Sequence, residues 1–444
     1  MRWTSPSCAV RAGMSAPPVI RWTEAGLARS ARWRSEAGIA PHKRVVIADE
    51  QMSADAAYRL ACEGTAMLWR GDFQNARQML LAMARRADEK TRKAKKPAAK
   101  PKEQKPGKPN KPVSPSLAAS VPSSSLQSKP DTAAATPPTE AFHLHRLAQS
   151  QRARTLGMLL LPLAGDYTVP LQRAPDLQRA CVEAYGPPGG DAVAGDSVVS
   201  MRELLGLVGA HEWRKKGVDV PALGEGERIH PHYGVFAPVR GEYVGLVADA
   251  LESLKARTKS LPLAFDIGTG TGVLAAVMAK RGVKRIVATD MDPRALACAS
   301  DNLRRLKLSA QVQVVQADLF PAGPEEKNRA PLIVCNPPWI PARPSSPIES
   351  AIYDPESRML RGFINGLAAH LEPGGEGWLI LSDIAEHLGL RSRAELLGYF
   401  EQGGLVVIDR IDVRPSHPRV ADTTDPLHAA RAAEVTSLWR LGVR

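Results

Sequence analysis

The chain has 444 residues, room for two or three domains, and 44% of them are apolar, ample for at least one large core. No stretch reaches the roughly 18 consecutive apolar residues of a membrane-spanning helix, so a soluble, cytoplasmic protein without membrane contact is expected. The formal charge of +13 is concentrated rather than spread: Arg85 to Lys111 hold 12 basic residues against Asp88, Glu89 and Glu103.

A stretch of that kind attracts polyanions, nucleic acid first among them, or serves as a solvated linker that keeps the protein soluble. The five cysteines, Cys8, Cys62, Cys181, Cys298 and Cys335, form no C-x-x-C pair. Neither a disulfide framework nor a zinc site is suggested, and no metal is expected. The N-terminus lacks the apolar segment of a secretory signal. A transit peptide, or a true start at Met14, are both compatible with it.

In chain order, residues 1–45 are rich in Arg, Ala, Ser and Pro without a sustained period, which predicts disorder. From Ser53, a credible N-cap, a helical pattern begins. Gly71-Asp72 breaks it, and Phe73, Ala76, Leu80 and Met83 resume a helical stripe. Residues 46–92 thus read as a short helical pair. Trp69 to Phe73 with Ala76 resembles one tetratricopeptide unit, but a single unit lacks the stacked neighbours that bury its core. Residues 93–140 are low in complexity, first Lys and Pro, then Ser, Ala, Thr and Pro, and read as a disordered linker. Residues 141–228 hold an apolar run at Met158–Pro162 and a helix from Met201 to about Lys216, and read as a small accessory domain.

From about Ile229 to the end the pattern changes. Short apolar runs (Leu263–Ile267, Arg285–Thr289, Val312–Val315, Leu332–Cys335, Trp378–Leu381, Leu405–Ile411, Val435–Leu441) alternate with amphipathic stretches. Helices fit Tyr243–Thr258, Gly272–Arg281, Pro293–Leu306, Ser357–His370 and Arg391–Gln402. Such alternation predicts an α/β domain with a mostly parallel seven-stranded sheet covered on both faces. The last two runs lack a long helix between them, which suits a C-terminal antiparallel hairpin.

Three strand ends carry chemistry. The first is Phe265-Asp266-Ile267-Gly268-Thr269-Gly270-Thr271-Gly272, a strand entering a glycine-rich turn before a helix. Glycines remove side chains where a ligand touches backbone, and Asp266 is placed to accept a hydrogen bond from a ligand's ammonium group. The spacing is G-x-G-x-G, not the dinucleotide G-x-G-x-x-G, because position 273 is Val273. The second is Asp290 at the end of Ile286–Thr289, where an acid can bind both ribose hydroxyls. Asp292 competes, but Pro293 fits the first helical position with Asp292 as its N-cap. The third is Gln316-Ala317-Asp318-Leu319-Phe320: Asp318 can hold an exocyclic adenine amine while Leu319 covers the ring. Each acid alone is more often a turn or cap residue. In order, at successive strand ends, they mark the edge where open α/β sheets bind ligands.

After the fourth strand comes Val334-Cys335-Asn336-Pro337-Pro338-Trp339. With G-x-G-x-G, this segment resembles the class I S-adenosylmethionine-dependent methyltransferases that modify planar nitrogens through an [N/D]-P-P-[Y/F/W] motif. Within them, residues 230–444 are similar to the small-domain group that includes the release-factor glutamine methyltransferases. Gly234-Val235-Phe236-Ala237-Pro238 is similar to that group's segment before the first strand. Tyr353-Asp354-Pro355 with Gly362 and Gly366-Leu367 is similar to its segment after the catalytic loop. Val239 to Tyr243 departs from the group's Arg-Pro-x-Thr-Glu stretch, Trp339 stands for its tyrosine, and its N-terminal helical domain is not recognisable.

The resemblance implies a Rossmann-like class I methyltransferase fold at residues 229–444 and S-adenosyl-L-methionine as cofactor. Asp266, Gly268, Thr269, Gly270, Gly272, Asp290, Asp318, Leu319 and Asn336 would bind it. Asn336, Pro337, Pro338 and Trp339 would form the catalytic loop. The Asn336 side-chain oxygen and the Pro337 carbonyl would accept hydrogen bonds from a target NH₂, held rigid by two prolines. Trp339 would offer a face for stacking. Asn336 cannot take the proton the nitrogen must lose, so water is the expected acceptor. The target is either a base in RNA or DNA or a glutamine of a protein such as a release factor. Two rivals stand beside this reading. One is a nucleic-acid-binding protein whose basic segment 85–111 is active and whose Rossmann domain is catalytically degenerate. The other, a nucleotide-dependent oxidoreductase, is disfavoured by the glycine spacing.

Overall fold

The computed structural model describes residues 17–94, 137–189, 195–239, 241–258, 260–323, 328–344, 347–415 and 422–444. The first part of the chain holds β1 (Val19–Glu24), β2 (Leu27–Arg34), β3 (Val45–Ala48), α1 (Ala54–Cys62), β4 (Ala66–Trp69) and α2 (Phe73–Ala94). It continues with α3 (Pro138–Leu156), β5 (Leu159–Leu163), α4 (Gln178–Tyr185), β6 (Ser197–Ser200) and α5 (Met201–Lys216). These strands form one six-stranded sheet in the order β1-β2-β6-β5-β4-β3. One core of Ile20, Trp33, Trp69, Phe73, Leu160, Val199 and Leu204 joins segments from both sides of the low-complexity stretch.

This corrects the domain reading of the N-terminal half. Residues 17–45 are not disordered but supply a hairpin, with Val19 opposite Arg32, and the first residue of β3. The helices at 46–92 are present, and Ser53 caps α1 by accepting the Ala56 N–H. Between them lies β4, four residues all buried, paired on both edges by β3 and β5. Trp69 and Phe73 pack into this mixed sheet domain rather than a repeat unit. Residues 141–228 are not a separate accessory domain, because β6 pairs with both β2 and β5. Residues 85–94 of the basic stretch continue α2; residues 1–16 and 95–136 lie outside the described residues.

A two-stranded link, β7 (Val218–Asp219) with β8 (Arg228–Ile229), leads to the second sheet domain. There follow α6 (Glu242–Lys255), β9 (Ala264–Ile267), α7 (Val273–Lys280), β10 (Ile286–Asp290), α8 (Pro293–Arg305), β11 (Val312–Gln316) and β12 (Ala330–Cys335). The chain ends with α9 (Arg358–His370), β13 (Leu371–Ser382), α10 (Ile384–His387), α11 (Arg393–Gln402), β14 (Leu405–Val413), α12 (His428–Ala433) and β15 (Thr436–Val443). The sheet order is β11-β10-β9-β12-β13-β15-β14; the first five strands are parallel and β15 runs antiparallel to both neighbours.

This is the expected Rossmann-like α/β fold, a mostly parallel seven-stranded sheet with the antiparallel hairpin closing one edge. Its central strands read as unbroken apolar runs because helices cover both faces. Val334, Trp378 and Ile380 face the core under α6 and α7, while Ile333, Cys335 and Leu379 face the core under α9 and α11. No helix among the described residues is long and apolar enough to cross a membrane.

Candidate functional site

Strand order reverses between β9 and β12, and such a switch point opens a crevice beyond the carboxyl ends of the strands. Ile267 is the register partner of both Cys335 and Thr289. The residues that follow, Gly268, Asn336 and Asp290, therefore stand side by side at the carboxyl ends of three neighbouring strands. A cavity of about 970 Å³ opens there.

Along its wall run Gly268, Thr269, Gly270, Asp290, Asp318, Leu319, Asn336, Pro337, Pro338 and Trp339. Gly270 has φ +55° and lines the cavity, and a Cβ on it would meet no protein atom within 4 Å. Gly268, at φ +70°, has no room for a Cβ because the Met359 methyl lies against it. The Gly270 N–H donates to Asp290 Oδ2 at 3.0 Å and the Thr269 N–H to the Thr289 carbonyl at 2.8 Å, which fastens the turn to β10.

Two expected ligand contacts sit elsewhere. Gly272, at φ +80°, packs against Ala299 of α8, whose Cα and Cβ would lie 3.2 Å from any Cβ there. Asp266 is only 1% exposed and lies beneath the turn rather than on the cavity wall. Its Oδ2 accepts the Thr269 hydroxyl at 2.6 Å and the Ala275 N–H at 3.0 Å. Burial outweighs those two hydrogen bonds and pushes its pKa up to about 6. Its place in the structure is to shape the turn, not to face a ligand.

Burial also raises the Asp290 pKa, against the backbone N–H groups of Asp292 and Gly270 that favour the carboxylate. Asp292 caps α8 by accepting the Arg294 N–H, with Pro293 at the first helical position. Asp318 pairs with Arg358 at 2.8 Å. Leu319 has φ +72°, and its carbonyl accepts the Thr289 hydroxyl at 2.5 Å. The two glycines of α9 explain themselves here: Leu319 lies against Gly362 and Phe320 against Gly366, each too near for a Cβ. Asp354 fixes the start of α9 by accepting the Met359 and Leu360 N–H groups at 3.0 and 3.1 Å.

Trp339 lines the cavity and is held in place there. Its indole N–H donates to Asn336 Oδ1 at 2.9 Å, and its ring packs between the cores on the two sheet faces and the cluster around Phe142.

Reading by sequence missed one wall altogether. Phe142 and His145 of α3 line the cavity. The Thr139 hydroxyl donates to the Leu388 carbonyl at 2.9 Å. Arg146 reaches Glu349 at 3.3 Å and lies 4.0 Å over the Tyr353 ring. The only cue was that α3 carries a bulky aromatic three residues from a histidine, a pattern too common to read. Tyr353, Arg431 and Glu434 complete that side; Glu434 accepts the Ser382 hydroxyl at 2.7 Å and Arg431 pairs with Asp425 at 2.9 Å. No group of three or more His, Cys, Asp or Glu suited to a metal occurs among the described residues.

Comparison with known proteins bears on the same segment. Residues 246–341 match the family model of the ribosomal protein L11 methyltransferase. The chain is 31% identical over 204 residues to a release factor glutamine methyltransferase of Cereibacter sphaeroides, covering 43% of this chain and 65% of the relative. It is 43% identical over 72 residues to a ribosomal protein L11 methyltransferase of Pelotomaculum thermopropionicum, covering 16% of this chain and 22% of the relative. A tRNA1(Val) (adenine(37)-N6)-methyltransferase of Parabacteroides distasonis is 34% identical over 85 residues, 19% of this chain and 36% of the relative. The matches span at most just under two thirds of these relatives. Among solved structures, a ribosomal protein L11 methylase of Lactobacillus delbrueckii aligns with a TM-score of 0.31 at 19% identity, over 49% of this chain and 85% of that one.

Proposed function

We propose that this chain is an S-adenosylmethionine-dependent N-methyltransferase that acts on a planar amino or amide nitrogen of a macromolecule. The observation that carries the reading is the adjacency, across the β9–β12 switch point, of an open glycine turn and the Asn336-Pro337-Pro338 loop in one cavity.

The residues present fit the cofactor. Gly270 leaves open space where a ligand would approach backbone, Asp290 stands at the next strand end for a diol, and Asp318 with Leu319 stands at the third for a purine. Asp266 acts through the turn it shapes. The cofactor supplies an electrophilic methyl group on a sulfonium. The chain's own contribution is position: Asn336 and the Pro337 carbonyl present acceptors to a target NH₂ and aim its lone pair, and the prolines keep those acceptors from relaxing. The proton released passes to water.

The target class is a glutamine of a protein or a base of RNA or DNA, and relatives of both kinds support the pair. The rival reading, a binding protein with a degenerate domain, is disfavoured by a cavity lined by every expected motif apart from Asp266 and Gly272.

The test is transfer of label from methyl-labelled S-adenosylmethionine into an extract of cells lacking this protein, followed by nuclease or protease digestion. Label released by one treatment names the target class. No transfer by protein that binds the cofactor contradicts the reading.

A further inference from the structure

We propose that Trp339 is a positioning residue that fixes which end of the Asn336 carboxamide faces the target, and so makes the site select a group that donates hydrogen bonds. The proposal rests on the methyltransferase reading above and deepens it.

A carboxamide has two ends of nearly equal shape and opposite polarity: an oxygen that accepts and an NH₂ that donates. An orientation that presents the NH₂ would repel a target amine. Nothing in the backbone prevents that flip, since the prolines fix φ at 337 and 338 but not the Asn336 side chain. The indole N–H of Trp339 does prevent it. It is a donor with no acceptor capacity, and it lies 2.9 Å from Asn336 Oδ1 in a partly buried setting. Flipping the amide would set donor against donor at that contact.

The carbonyl oxygen has two lone pairs, so one bond from Trp339 leaves capacity for one from the target. The Trp339 ring is anchored by packing on three clusters, so the lock holds before substrate arrives. Its consequence is selection of an amino edge over a keto edge.

The test separates this role from stacking. Trp339→Phe keeps a flat ring and loses the N–H. In the labelled-extract assay its apparent kcat should fall at least tenfold while KM for S-adenosylmethionine stays within threefold. In an Asn336→Asp background both ends of the side chain are oxygens, so a flip no longer matters. There, Trp339→Phe should cost less than threefold. Wild-type turnover in the single variant, or equal losses in both backgrounds, would overturn the proposal.

A second measurement does not depend on turnover. The ¹⁵N-labelled Trp339 indole signal, assigned by its loss in Trp339→Phe, should exchange with solvent at least tenfold faster in Asn336→Ala. An unchanged exchange rate counts against the lock, whereas absence of methyl transfer by wild-type protein counts against the enzyme reading.

Discussion

The Asp266 carboxylate binds the Thr269 hydroxyl at 2.6 Å and the Ala275 N–H at 3.0 Å through a single oxygen. One side chain thereby ties the end of β9 to the glycine turn and to the first turn of α7, whose N–H has no partner within its own helix. Asp266→Ala leaves both donors unsatisfied in the core. The expected loss is about 1–3 kcal/mol, together with weaker cofactor binding through a loosened turn. Denaturant unfolding and cofactor titration of the same variant check it.

The same residue sets a pH dependence. Its folded pKa, pushed up to about 6 by burial, lies above the roughly 3.9 of an unfolded aspartate. The folded state therefore holds a proton that the unfolded chain has released. The stability this contributes is full below about pH 4 and is lost as pH rises through 6, a change of about 3 kcal/mol over the window. Asp266→Asn keeps an acceptor and removes the titration. The stability difference between wild type and Asp266→Asn should move in the variant's favour from about pH 4.5 to about pH 7.5. A pH-independent difference would contradict it.

Backbone strain and cavity access can be separated by two glycines. Gly270 and Gly404 both have positive φ, +55° and +69°, and a Cβ on either meets no protein atom within 4 Å. Only Gly270 lines the cavity. Alanine at either site should cost roughly 1–2 kcal/mol of stability. Cofactor affinity should fall at least tenfold in Gly270→Ala and remain within twofold in Gly404→Ala, as measured by calorimetric titration.

The sheet of the N-terminal half predicts the outcome of truncation. Deleting residues 1–140 removes β1 to β4 and leaves β5 and β6 without their partners β4 and β2. The fragment should be insoluble or partly unfolded, by circular dichroism and limited proteolysis. The basic segment is better tested by exchanging Lys95, Lys96, Lys100, Lys102, Lys105, Lys108 and Lys111 for Gln in the full chain. If the substrate is a nucleic acid, its binding should weaken and its salt dependence flatten. For a protein glutamine substrate the salt slope should not change.

The C-terminal half was legible because its central strands are buried on both faces and read as apolar runs between amphipathic helices. All seven runs became strands. The motif-bearing turns follow strands β9 to β12, where period and punctuation are clearest. The N-terminal half hid its sheet. Strand β2 carries Leu27, Ala28, Arg29 and Ser30, all exposed, so no alternation marks it, and β4 is four residues long between two helices. Its partner β5 lies some 90 residues on, beyond the low-complexity stretch, and a local pattern does not report a pairing at that distance. Asp266 differs for another reason: the sequence places an acid at the strand end but not the direction it faces. The α3 wall depends on how two domains pack, which no motif encodes.

The central claim is tested most directly by measuring S-adenosylmethionine affinity and labelled methyl transfer for wild type and Asn336→Ala side by side. Wild-type protein should bind the cofactor and transfer label. Asn336→Ala should keep its affinity within about threefold and lose roughly 100-fold or more in turnover, since its oxygen orients the amine rather than the cofactor. Equal turnover in the two proteins, or no cofactor binding by the wild type, would contradict the account.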